Sequence, residues 1–289
     1  MKNIAYIFLL ITSALSAQIN GIVVNDKGNP VPYVNIWVEN ENIGTTSDQN
    51  GIFKIHATSD KVLIFSSVGY EIRKTAIKDN DKVILKEAIF RLEELVVSNR
   101  KKDKEIEVGD AKKIHHTQLS GDKPWIYAKL FEYDSTYAAT PFLKKIIFFS
   151  DSEKKDAKLK IRVFQMNDSL PANDLLSEDL IVTVKKGMRK NVIDVSKYNL
   201  RFPEKGIVIG LEWMIIEENK FSFEYKEAKK LIKMECYAPS LVLNYSEYVN
   251  AFRYSKGKWY KNMIIPNNGT ERPWDNKAMT PAINLILTN

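Results

Sequence analysis

Apolar and polar residues alternate along most of this chain in short runs, and no long stretch keeps a helical spacing. Val34, Ile36 and Val38 alternate with Asn35, Trp37 and Glu39, the period of two of a half-buried strand. Residues 21–25, 62–65 and 82–85 supply further strand-like runs. Between them, residues 26–30 (DKGNP) and 48–51 (DQNG) read as a turn and a hairpin loop, because Gly and Asn accept positive φ and Pro fixes it. Short strands with turn residues between them predict a small β-sandwich over residues 18–98.

A second set of strands follows a charged, apolar-poor stretch, residues 99–110 (NRKKDKEIEVGD), which reads as a linker. Ala157, Leu159, Ile161 and Val163 alternate with Lys158, Lys160 and Arg162, the pattern of a strand with one wet face. Runs at 143–149, 180–184, 191–195, 231–237, 241–245 and 283–287 add strands, and residues 251–260 read as a hairpin. Residues 207–216 (IVIGLEWMII) are β-branched and nearly all apolar, as in a strand buried on both faces, yet they contain Glu212. With about nine strands and no long helix, residues 111–289 are expected to form a larger, jelly-roll-like β-sandwich, so the fold class is all-β.

The chain opens MKNIAYIFLLITSALSAQ: one early lysine, a short apolar run, then small residues. That is the pattern of a secretory signal peptide over residues 1–17, with cleavage between Ala17 and Gln18. The expected protein is exported, to the periplasm, the outer-membrane surface or beyond, and no cysteine near the cut offers a lipid anchor. The apolar run is too short for a membrane helix, which needs about 20 residues, and no later segment approaches that length.

Residues 21–36 (GIVVNDKGNPVPYVNI), 43–53 (IGTTSDQNGIF), 65–71 (FSSVGYE) and 92–97 (LEELVV) resemble, in order and spacing, the carboxypeptidase-D regulatory-like domain. The resemblance covers about 80 residues and implies a seven-stranded, transthyretin-like or Ig-like sandwich. Such modules commonly precede TonB-dependent outer-membrane transporters of Bacteroidetes, and the family brings no catalytic residues with it. The 192 residues after Val97 are too few for a 22-stranded barrel at about 9–11 residues per strand. Residues 194–200 (DVSKYNL) and 208–213 (VIGLEW) resemble segments of uncharacterised secreted Bacteroidetes proteins that carry the same module. Residues 169–173 (SLPAN) lack the glycines of that group's loop.

Composition narrows the chemistry. The 289 residues include one cysteine, Cys236, and three histidines, so neither a disulfide nor a histidine-rich metal site is available. His115 and His116 are adjacent and so diverge on a strand; His56 ends a hairpin strand. There is no Gly-x-Ser-x-Gly elbow, Cys236 reads as a buried thiol, and residues 48–51 lack the further ligands of a calcium loop. No cofactor is expected. Glu212 is the one acid in an unusual setting, with Glu217, Glu218 and Glu235 as partners if the fold brings them near.

Charge is uneven. Residues 18–100 carry 10 basic and 11 acidic side chains, and residues 101–289 carry 32 and 25. The second region holds doublets at 144–145, 154–155, 185–186, 189–190 and 229–230. A basic face could meet nucleic acid, anionic lipopolysaccharide or an acidic glycan; export argues against nucleic acid, and a solvated face explains the doublets most simply. Tyr254, Trp259, Tyr260 and Trp274 fall near turns and are the candidate ligand platform. These features predict a non-enzymatic binding or scaffolding protein of the bacterial envelope that contacts glycans or outer-membrane machinery. The alternatives are a hydrolase cleaving an envelope polysaccharide with paired carboxylates, and a purely structural surface protein.

Overall fold

The computed structural model describes residues 18–88, 103–112, 116–119, 121–228, 230–269 and 271–289. The expected signal peptide, the 92–97 landmark and His115 lie outside them. No helix among the described residues is long and apolar enough to cross a membrane. The fold is all-β.

The first domain has seven strands: β1 (Gln18–Asn25), β2 (Asn35–Val38), β3 (Gly44–Thr46), β4 (Ile52–His56), β5 (Val62–Ser66), β6 (Arg73–Ala76) and β7 (Asp81–Leu85). They form two sheets, β4-β1-β7 and β3-β2-β5-β6, with β1 and β7 parallel. Val23, Ile36, Phe53, Phe65 and Leu85 fill the space between the sheets, as their alternation requires. At the hairpin loop before β4, one Asp48 carboxylate oxygen accepts from the amides of Asn50 and Ile52, which commits it to the turn rather than to a cation. Gly51 holds φ +75°, and a Cβ there would lie 2.4 Å from the Val23 carbonyl, so only glycine fits.

The second domain has sixteen described strands, fourteen of them in a two-sheet sandwich. One sheet contains β10 (Ile126–Phe131), β12 (Ala157–Asn167), β13 (Leu170–Asp174), β14 (Leu180–Val184), β16 (Ile207–Trp213), β20 (Ala251–Ser255) and β21 (Lys258–Lys261). The other contains β8 (Glu105–Val108), β9 (Thr117–Gln118), β11 (Phe142–Ser152), β15 (Gly187–Asp194), β19 (Ser240–Ser246), β22 (Ala278–Pro281) and β23 (Ile283–Thr288). The chain crosses repeatedly between the sheets, and Phe148, Leu159, Ile161, Ile209, Trp213 and Leu285 are buried between them. A separate hairpin, β17 (Lys220–Glu227) and β18 (Lys230–Tyr237), projects from the body with most of its residues exposed.

Three expectations change. Strand β2, expected to be half-buried, is buried on both faces, with Asn35 and Trp37 each at 0% exposed. Within the stretch read as a linker, residues 105–108 are β8, paired antiparallel with β23 from Thr288↔Glu105 to Leu285↔Val108. The charged residues there hide a period of two, and Ile106 and Val108 pack on the core. The strand expected to have a wet face, β12, has none over its centre: Lys160 and Arg162 are 0% and 3% exposed. The first domain lies over that face.

Candidate functional site

Trp37 of β2 is fully buried, and its neighbours belong to the second domain: Ile126, Ala128, Phe164, Val208, Phe252 and Tyr254. Around this apolar contact lies a buried polar network. Asn35 Nδ2 donates to the Pro124 carbonyl at 2.8 Å and to Glu212 Oε1 at 3.1 Å. Arg162 donates through Nη1 to Glu212 Oε2 at 2.9 Å and through Nε to Asp174 at 2.8 Å, with a second contact from Nη2 to Asp174. Burial works against the Arg162 charge, but Asp174 and Glu212 outweigh it and hold the guanidinium protonated well above its ordinary range. Lys160 pairs with Asp179 at 2.9 Å and donates to the Tyr33 carbonyl at 2.7 Å. Thr46 Oγ1 accepts from the Ile215 amide at 3.0 Å.

This arrangement answers the question posed by Glu212. Its side chain is fully enclosed, so no polymer reaches it. Its proposed acidic partners are elsewhere: Glu218 faces Lys158 at 3.3 Å, and Glu217 and Glu235 face Lys220 at 3.9 and 3.0 Å. The carboxylate nearest to it chemically is Asp174, on the other side of a shared arginine. Glu212 is the centre of a buried ion pair within the second domain that also accepts a hydrogen bond from Asn35 of the first, so it is not placed to cleave a polymer. Strand β16 is buried on both faces, as its composition predicts; one face meets the opposing sheet and the other meets the first domain.

The four candidate aromatics separate. In the β20–β21 hairpin Tyr254 stands opposite Trp259, and Arg253 opposite Tyr260. Alternation sends the first pair to one face and the second pair to the other. Tyr254 and Trp259 pack edge to face at 5.3 Å in the interdomain core, Trp259 also meets Phe164 at 5.1 Å, and burial pushes the Tyr254 hydroxyl up to about 12. Trp274 lies in another cluster, 5.5 Å from the His116 ring and 6.1 Å from Tyr245, with the Arg272 guanidinium over it. Burial lowers the pKa of His116 there, favouring the neutral ring.

Tyr260 remains at an open surface. Across three strands, Tyr127, Arg253 and Tyr260 form one row. The Arg253 guanidinium lies 5.9 Å from the Tyr260 ring and 5.6 Å from that of Trp125, and Lys258 lies over Tyr260 at 5.6 Å. Asn262 Nδ2 donates to Tyr127 Oη at 2.7 Å and to the Met279 carbonyl at 2.9 Å, which ties the following loop to the sheet. The row and that loop, with Met263, Ile264 and Pro266, line an open groove of about 340 Å³. Sequence reading found Tyr260 but missed Tyr127 and Arg253, whose only signal is their phase on separate strands. No group of three His, Cys, Asp or Glu side chains among the described residues is placed to hold a metal. Cys236 is buried, and desolvation raises its thiol pKa.

Comparison with known proteins identifies the first domain. Residues 19–97 match the CarboxypepD_reg-like domain family, and the described part of that span, residues 19–88, folds as the two-sheet sandwich described above. Over 95 residues, 32% of this chain, the sequence is 34% identical to the TonB-dependent receptor SusC of Bacteroides thetaiotaomicron. Over 86 residues, 29% of this chain, it is 33% identical to the TonB-dependent receptor P26 of Formosa agariphila. The chain spans about a tenth of the length of these receptors, covering 10% and 9% of them. The cysteine protease and lectin-like domains of Cwp84, a surface layer associated protein of Clostridium difficile, superpose over 86% of this chain and 45% of that one. The TM-score is 0.37 at 10% identity, a likeness from which no argument about fold or ligand is drawn. The first domain is thus a CarboxypepD_reg-like domain, similar to the corresponding part of TonB-dependent receptors.

Proposed function

We propose that this is an exported, non-catalytic binding protein of the bacterial envelope, and that its ligand is a glycan segment seated in the Tyr127–Arg253–Tyr260 groove. The observation that carries the reading is the row itself: two phenol rings flank a guanidinium along an open, concave face. A pyranose ring has an apolar C–H face and a hydroxyl rim. Aromatic rings receive the face, and neighbouring polar groups receive the rim. Tyr127 Oη accepts from Asn262, so its own proton is free to donate to a hydroxyl. A purely structural surface protein has no need of such a groove.

Export rests on the character of residues 1–17, and an envelope setting is supported by the likeness of the first domain to outer-membrane receptor domains. The first domain acts as a fixed partner of the second. Its Trp37 face is occupied within the chain, so any outside partner meets its other surfaces.

The test is a screen of the mature protein on a glycan microarray, followed by titration calorimetry of the hits. Binding to a defined oligosaccharide, weakened at least about tenfold in Tyr260→Ala and Arg253→Ala, supports the reading; tenfold corresponds to about 1.4 kcal/mol. No hit on the array, or hits unaffected by both variants, would overturn it.

A further inference from the structure

Strands β14 and β15 are consecutive in the chain but belong to opposite sheets. Strand β14 edges one sheet through its pairing with β12, and β15 edges the other through β11. The crossing is made in two residues, Lys185 and Lys186, followed by Gly187 at φ +79°, where glycine carries no strain. The two edge strands diverge from this turn and leave an open cleft of about 510 Å³. Lys185, Arg189 and Lys190 line it together with Thr183, Asn191, Val192 and Ile193, and no carboxylate is among the lining residues.

The same end of the sandwich gathers more positive charge. Ser152 pairs with Gly187 and Ala157 with Val184, which sets the turn carrying Lys154 and Lys155 beside Lys185 and Lys186. Three basic doublets of the second region, 154–155, 185–186 and 189–190, therefore meet at one place. Their acidic neighbours are Asp151, Glu153 and Asp156, of which Asp156 pairs with Lys155 at 3.9 Å. The cleft cations differ from many other lysines of the domain. Lys144, Lys158, Lys197 and Lys220 each meet a carboxylate, whereas the side chains of Lys185, Lys186, Arg189 and Lys190 make no ion pair or hydrogen bond among the described residues. Four unpaired like charges repel one another, and a polyanion relieves that repulsion.

We propose that this cleft binds an acidic polysaccharide, its carboxylate or sulfate groups meeting Lys185, Arg189 and Lys190, which line it, and Lys186 beside them in the turn. The shape selects the class. Lys185, Arg189 and Lys190 line a cleft between two strands, which a flexible chain enters and a flat bilayer does not. The lining holds no aromatic ring on which bases would stack, which disfavours a single-stranded nucleic acid. Val192, 51% exposed, supplies an apolar surface beside the charges for the C–H face of a sugar, while Ile193 on the other face packs against the core. The site is separate from the Tyr260 groove, and the proposal stands whether or not that groove binds a glycan.

The experiment measures binding of polygalacturonate, dextran sulfate, neutral dextran, a thymidine oligonucleotide and phosphatidylglycerol vesicles by the mature protein, at about 50 and 300 mM salt. Expected is binding of one or both acidic polysaccharides that falls at least about tenfold at the higher salt, with neutral dextran inert. Lys185→Ala with Lys186→Ala, and Arg189→Ala with Lys190→Ala, should each weaken it at least about tenfold. All four side chains are exposed, so the fold should survive, which circular dichroism checks. Lys54→Ala with Lys78→Ala, two exposed cations of the first domain, controls for net charge and should leave binding intact, as should Tyr260→Ala. The proposal is overturned if neither acidic polysaccharide binds, if the control pair loses as much affinity as the cleft pairs, or if the oligonucleotide or the vesicles bind more tightly.

Discussion

Glu212 shows how much a single side chain depends on residues distant in sequence. Its partner Arg162 lies 50 positions away on the neighbouring strand, and its second partner, Asn35, lies 177 positions away in another domain. A buried charge without a partner is costly, whereas a paired and hydrogen-bonded one is tolerated. Glu212→Ala leaves Arg162 in the interior with Asp174 alone. The expected loss of stability is about 3–5 kcal/mol by urea denaturation, the range for breaking a buried ion pair from one side. Glu212→Gln keeps the side-chain volume and one accepting oxygen but sets its NH2 group against a donor, Asn35 or Arg162, so it should lose less than the alanine variant while still losing stability. A loss below about 1 kcal/mol in the alanine variant would show that Arg162 reaches water and that the site is not closed. The sequence showed an acid out of place in an apolar run; no local signal named what would neutralise it.

At the level of elements, the period of two located most strands and misjudged what covers them. In β12 the alternation of Lys158, Lys160 and Arg162 with apolar residues is correctly a strand, but its charged face is dry. Long basic side chains hide their stems in apolar surroundings and carry their charge to a carboxylate, so their presence alone does not mark a wet face. Strand β8 shows the opposite error, because acidic residues at alternate positions masked Ile106 and Val108. The β17–β18 hairpin is a third case. Its apolar row, Phe223 and Tyr225 stacked at 6.1 Å opposite Met234 and Ile232, is largely exposed. Phe223→Ser and Tyr225→Ser should therefore each change stability by no more than about 0.5 kcal/mol, as surface substitutions do, and thermal unfolding would measure it. A change of about 3 kcal/mol would mean that another part of the molecule, or a second molecule, covers this face in solution.

The whole molecule behaves in this structure as two sandwiches sharing a third core. Trp37 is the main apolar contribution of the first domain to that core, and Asn35, Thr46 and the Tyr33 carbonyl add the polar contacts. Unfolding of the protein is expected as one cooperative transition in calorimetry. Trp37→Ala should cost about 3–5 kcal/mol and split that transition in two, since it removes the contact through which each domain stabilises the other. Two transitions already present in the wild type would refute the coupling. What the sequence determined by itself was local: the all-β class, a small β-sandwich at the start of the chain, the turns that need glycine, and the double burial of β16. These follow from alternation and backbone preference, which neighbouring residues are enough to specify. Tertiary structure alone decided that the first domain covers the basic face of β12, that Glu212 is sealed, that three lysine and arginine doublets gather at one end of the second sandwich, and that Tyr260 rather than Trp259 faces the groove. Each of these is set by strand pairing between distant segments, because a side chain's environment is supplied by the strands and sheets packed against it rather than by its neighbours in the chain.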